Sequence, residues 1–209
     1  MTLLESITPE VIRKTYQSLG YPFFTNGDFN LNLGIIRSEN RKADSFDDVA
    51  YIVFKDSRYF GNEFQIFKCW ATADPGRDHL VNPQFPEAQT GGTAIVAEGF
   101  YRGLYSLGWY HGTKALLPVK PMAVYRDKNR DDVLDLDPKT IQWGNWGTLW
   151  HDHLQALDEA LRVGRSSAGC FNMKRRSDHN KFMSICEKGI NRFKTPISLA
   201  VVAERSLVL

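Results

Sequence analysis

Asp48-Val49-Ala50-Tyr51-Ile52-Val53-Phe54-Lys55 is the stretch on which the fold reading turns. It is built of β-branched and aromatic side chains, which suit a half-buried pleated surface. The same texture recurs at 31–37, 63–71, 93–100 and 115–125, with Gly, Asn, Asp and Pro clusters between the runs. Asp74-Pro75-Gly76-Arg77 reads as a turn and 83–92 as a polar loop. Further out, Thr8-Pro9-Glu10 opens a helix, with Thr8 as N-cap, Pro9 in the first turn and Gly20 closing it. On the C-terminal side, 154–163 predicts a short helix carrying Leu154, Leu157 and Leu161, stopped by Gly164. Asp178 is expected to cap a second helix whose Phe182, Ile185 and Cys186 face inward, and 197–202 is expected to form a last strand. The order predicts a single α+β domain, mostly β, with flanking helices. Residues 1–29 form the N-terminal helix and lead-in, and 30–209 the main body.

Composition narrows the function classes. The 26 basic side chains nearly balance 24 acidic ones, which is no electrostatic footprint for nucleic acid. Nothing approaches the roughly 18 consecutive apolar residues of a membrane span. The N-terminus lacks a basic stretch followed by a long apolar one, so synthesis in the cytoplasm without a secretory signal is expected. Aromatic side chains crowd the middle of the chain; a β-rich core is the favoured explanation and a carbohydrate or peptide groove the alternative. Cys69, Cys170 and Cys186 are odd in number and widely spaced, which argues against a disulfide framework or a zinc knuckle.

Of the three thiols, Cys170 stands out, in Ser167-Ala168-Gly169-Cys170-Phe171-Asn172. Small residues before the sulfur let a substrate backbone approach. Gly169 permits a sharp turn in which the Gly169 and Cys170 amides face one oxyanion. Arg162, Arg165, Lys174, Arg175 and Arg176 bracket the thiol and favour thiolate if they are also near in space. Cys69 and Cys186 read as buried core thiols. Among the histidines, His151 follows a short run that ends a strand and is the base of choice. His153, two residues on, shares its face if the segment is extended.

The hexapeptide, with His151 upstream at compatible spacing, resembles the signature of the L,D-transpeptidase catalytic domain: a histidine, a spacer, then Ser/Thr-His-Gly-Cys-hydrophobic-Asn. The departure is Ala168, where that family usually has histidine, so a second imidazole would have to come from His111 or His153. Strings such as Asn32-Leu33-Gly34-Ile35-Ile36-Arg37 and Ala71-Thr72-Ala73-Asp74-Pro75-Gly76 resemble a divergent phage and prophage branch. The resemblance implies that 30–209 is a β-rich catalytic domain acting on peptidoglycan stem peptides. It makes Cys170 the nucleophile, His151 the base and then the acid, and Gly169 and Ser167 the oxyanion and support residues. It also implies action at the cell wall after release or phage delivery, with phage structural proteins as further partners. No cofactor is required by it.

A separate feature is Asp127, Asn129, Asp131, Val133 and Asp135, oxygen donors at alternate positions as in the first half of an EF-hand-type loop. Asp132 stands where glycine is needed and Pro138 where the bidentate glutamate belongs. A structural Ca²⁺ site and an Asx-stabilised turn are both open readings. Two other functions remain as alternatives: a zinc hydrolase using His151, His153 and His111 or an aspartate, and a non-catalytic virion or tail protein that keeps the fold.

Overall fold

The computed structural model describes residues 2–61, 63–152 and 158–209. In chain order the elements are α1 (Leu3–Ser6), α2 (Pro9–Leu19), β1 (Asn32–Arg37), β2 (Asp48–Lys55), α3 (Ser57–Phe60), β3 (Phe64–Thr72), α4 (Arg77–Val81) and α5 (Pro86–Gly91). There follow β4 (Thr93–Val96), β5 (Gly99–Tyr110), β6 (Thr113–Pro118), β7 (Met122–Asp127), β8 (Gln142–Gly144), β9 (Asn172–Met173), α6 (Arg176–Phe193) and β10 (Ile197–Ala203). The class is α+β and mostly strand, in one domain, as the sequence predicts.

The main sheet runs β6-β5-β10-β1-β2-β3-β9, with a smaller sheet β4-β7-β8 beside it. Among the described strands of the main sheet β1 and β10 pair in parallel and the other neighbours are antiparallel. The main sheet curls until its two edges are joined by one residue. Trp150 forms an antiparallel bridge to Leu116 of β6 and a parallel bridge to Phe171, which immediately precedes β9. The Trp150 ring stacks on Phe171 at 4.5 Å and on Phe182 of α6 at 4.8 Å, so aromatic packing reinforces the closure.

Strand period divides the core in two. Ala50 and Ile52 of β2, Leu199 and Val201 of β10, and Leu116 of β6 face one cluster, into which α6 sends Phe182, Met183 and Cys186. Val49, Tyr51 and Val53, with Ala200 and Val202, face the other, covered by Ile12 and Tyr16 of α2. That helix is built as its sequence predicts: Thr8 Oγ1 accepts the Val11 amide at 3.2 Å and Gly20 closes it at φ +69°.

Five expectations need correction. The 93–100 run is two strands in different sheets. Buried Arg37 takes the Val96 carbonyl (2.6 Å) and the Glu98 and Asp74 carboxylates, tying the chain at the point where it changes sheet. The 115–125 run is likewise split, at Pro118 and Pro121, which have no N–H to continue a ladder. The 83–92 loop contains α5. The expected helix over 154–163 falls partly on 153–157, outside the described residues; its remainder is not helical, because the backbone bonds sideways. Ala160 N–H donates to Lys174 O at 2.9 Å and Arg176 N–H to Asp158 O at 3.0 Å, leaving Leu161 exposed. The start of α6 also shifts: Arg175 is the N-cap, and Asp178 lies in the first turn near the positive end of the helix.

Candidate active site

The sheet closure is also what assembles the site. Phe171 N–H donates to Leu149 O (2.8 Å) and His151 N–H to Phe171 O (3.3 Å), so 149–151 and 170–172 lie side by side in parallel. Alternation turns Trp150 and Phe171 inward and sends His151 and Cys170 to the opposite face. There both line one cavity of about 640 Å³, with Tyr110, Trp146, Arg126 and His79 among its other walls. The sulfur lies 3.7 Å from the Gly147 carbonyl, to which the thiol donates.

The hexapeptide is braced from within. Ser167 Oγ donates to the Cys170 carbonyl (2.7 Å) and accepts the Gly169 amide (3.1 Å), while Asn172 Nδ2 donates to Ser166 O at 3.0 Å. Gly169 sits at φ +115°, and a Cβ there would overlap the Ala94 carbonyl oxygen, so the position requires glycine. Because the Gly169 amide is committed to Ser167, it does not join an oxyanion pair. The Cys170 amide has no acceptor among the described residues and is the donor of the two left to face a substrate. Ser167 is therefore a turn brace.

His151 is oriented by its own chain. Its Nδ1 lies 2.8 Å from the Asp152 carbonyl oxygen, which only accepts, so Nδ1 carries the proton and Nε2 the lone pair. Its ring packs against Tyr110 at 4.9 Å. The Asp152 carboxylate is held by Arg176 Nε at 2.7 Å, which fixes the chain immediately after the histidine.

The thiol environment differs from what the flanking charges suggest. Burial pushes the Cys170 thiol up to about 11, with the Leu149 amide opposing the rise. None of the bracketing cations lowers it, although Arg165 lines the same cavity. Lys174 and Arg175 pair with Glu159 (3.0 and 3.2 Å), Arg176 with Asp152, Arg165 leans toward Asp78 (3.7 Å), and Arg162 is exposed. Cys69 and Cys186 are buried core thiols, as read from the sequence.

Ala168 lines the cavity, so the position where the resembled family carries histidine does face the groove. His111 does not line the cavity; it sits exposed at the β5–β6 turn with φ +47°. His153 lies outside the described residues. His79, which sequence reasoning passed over, lies in the groove wall stacked on Phe85 (5.9 Å), with Nε2 3.2 Å from Arg165 O.

In the acidic loop, Asn129 Oδ1 accepts the Asp131 amide, Asp131 Oδ1 accepts the Val133 amide, and Asp127 Oδ2 accepts the Asp135 amide, at 2.8–3.1 Å. These are the contacts of an Asx-stabilised turn. Burial, then the neighbouring Asp135 and Asp131, raise the Asp127 carboxyl to about 6. Among the described residues no three His, Cys, Asp or Glu side chains gather as a metal-holding group, and no helix is long and apolar enough to cross a membrane.

No protein-family model matches the chain, and no curated protein matches it.

Proposed function

We propose that the protein is a cysteine-dependent acyl-transfer enzyme of the cell wall, a peptidase or transpeptidase on peptidoglycan stem peptides. The observation that carries the reading is Cys170 and His151 on one face of the closing strands, lining one groove, with the histidine tautomer that leaves Nε2 basic. Because the resting thiol is protonated, His151 Nε2 takes the proton as the sulfur attacks the carbonyl at the L-centre of the diamino acid. The Cys170 amide faces the oxyanion. Collapse breaks the C–N bond, the imidazolium returns its proton to the departing D-amino acid nitrogen, and a thioester remains. Water then releases an acid, or an amine from a neighbouring stem forms a cross-link; for a phage-delivered wall-cutting protein, hydrolysis is the outcome we favour.

The high thiol pKa and Ala168 favour a second reading, a virion or tail component that keeps the fold without the chemistry. Purified sacculi separate the two. The enzyme releases new muropeptides and Cys170→Ala does not, with both proteins equally folded by circular dichroism. Absence of release by the natural chain favours the structural component.

A further inference from the structure

The groove wall contains a buried cation with no ion pair among the described residues. Arg126, on β7, is only 5% exposed, yet no carboxylate lies within ion-pair distance of it among the described residues; the Glu87 carboxylate acts on it from farther away. Its Nε donates to Gly91 O (3.2 Å), its Nη2 to Glu87 O (2.8 Å), and its guanidinium lies over the Trp146 ring at 5.1 Å. These contacts fix the plane of the fork and commit two of its five N–H groups. Gly91 makes the approach possible, because a Cβ there would lie 2.5 Å from Nη2. Buried arginines are as a rule paired, since an isolated charge in protein surroundings is costly. The other buried arginine of this fold, Arg37, is paired directly with two carboxylates; Arg126 has the more distant Glu87 and an open groove.

The position relative to the thiol is set by pairing. Arg126 is the register partner of Ala94, and the Ala94 carbonyl is the group packed against Gly169, next to Cys170. Both Arg126 and Cys170 line the same cavity. A planar guanidinium with free N–H groups is suited to bidentate recognition of a carboxylate.

We infer that Arg126 is the carboxylate-binding residue of the groove, and that the acyl donor presented to Cys170 carries a free carboxylate that docks on it. The inference rests on the reading of Cys170 as the reactive thiol, and it assigns a specificity residue that no part of the hexapeptide supplies.

The test compares two thiol reagents of similar length, 2-carboxyethyl methanethiosulfonate and propyl methanethiosulfonate, with Cys170 modification followed by peptide mass spectrometry. In the natural chain the carboxylate reagent is expected to react faster relative to its neutral counterpart. Arg126→Gln is expected to reduce that ratio about tenfold, the scale of one charge-assisted hydrogen bond, with the propyl rate unchanged. An unchanged ratio in a folded Gln variant overturns the inference. If that variant does not fold, acetate competition on the natural chain decides. Acetate, against chloride at equal ionic strength, must slow the carboxylate reagent selectively; equal effects overturn the inference. A carboxylate preference without muropeptide release contradicts the proposed catalysis alone, and release with a flat reagent ratio contradicts the carboxylate site alone.

Discussion

Alkylation of Cys170 as a function of pH probes the site in its resting state. With the thiol pushed up to about 11, roughly one molecule in 10⁴ carries thiolate at pH 7, against about 3% for an unperturbed thiol of pKa about 8.5. Iodoacetamide should therefore label native Cys170 on the order of 300-fold more slowly than a free cysteine at pH 7, from the thiolate fraction alone. The rate should climb about a hundredfold between pH 7 and pH 9 without a plateau. Peptide mass spectrometry resolves Cys170 from Cys69 and Cys186, which stay unlabelled until the protein is denatured because both are buried. The same shift has a stability consequence. Between about pH 8.5 and 11 the folded thiol holds a proton that the unfolded one releases. Stability therefore falls as pH rises through that window, and Cys170→Ala should remove its share of the slope. A labelling rate that levels off below pH 8 would refute the reasoning, since it would mean that nearby charge, not burial, governs the sulfur.

Three further perturbations follow from single contacts. Gly169→Ala places a side chain at φ +115° against the Ala94 carbonyl; backbone strain alone costs about 1–3 kcal/mol, and a urea melt should show at least that loss. Trp150→Ala removes the ring stacked between Phe171 and Phe182, and should cost about 3–5 kcal/mol while speeding hydrogen exchange at the His151 and Phe171 amides. Asp127→Asn removes a carboxyl raised to about 6. Its folded pKa exceeds the unfolded one, so the acid's contribution is favourable below about pH 4 and lost as pH rises through 6. The variant should be more stable than the natural chain at pH 7, on the order of 1 kcal/mol once solvent screening is allowed for, with the gain disappearing at pH 4.

The parts of the fold written in local sequence were legible. Thr8, Pro9 and Gly20 mark a helix because capping needs only neighbours, and 48–55 reads as a strand because its residue types suit a half-buried sheet. The breaks inside 93–100 and the sideways pairing of 158–163 depend on partners far along the chain, Arg37 in one case and 174–176 in the other. The site divides in the same way. Cys170 and His151 could be picked from the hexapeptide and its spacing, yet the strand pairing that puts them on one face is a tertiary fact. The basic residues around Cys170 misled for a related reason: the carboxylates that occupy them, Glu159 and Asp152, take their meaning from the fold. Arg126, His79 and Trp146 carried no local signal, since each reaches the groove from a different element or loop.

The acyl-enzyme is the most direct test of the central claim. The protein incubated with a stem tetrapeptide ending in a D-amino acid, quenched in acid and examined by intact mass and peptide mapping, should carry the acyl fragment, less the departing D-residue, on Cys170. Cys170→Ala should carry none. No adduct under turnover, or turnover that persists in Cys170→Ala, would contradict the account.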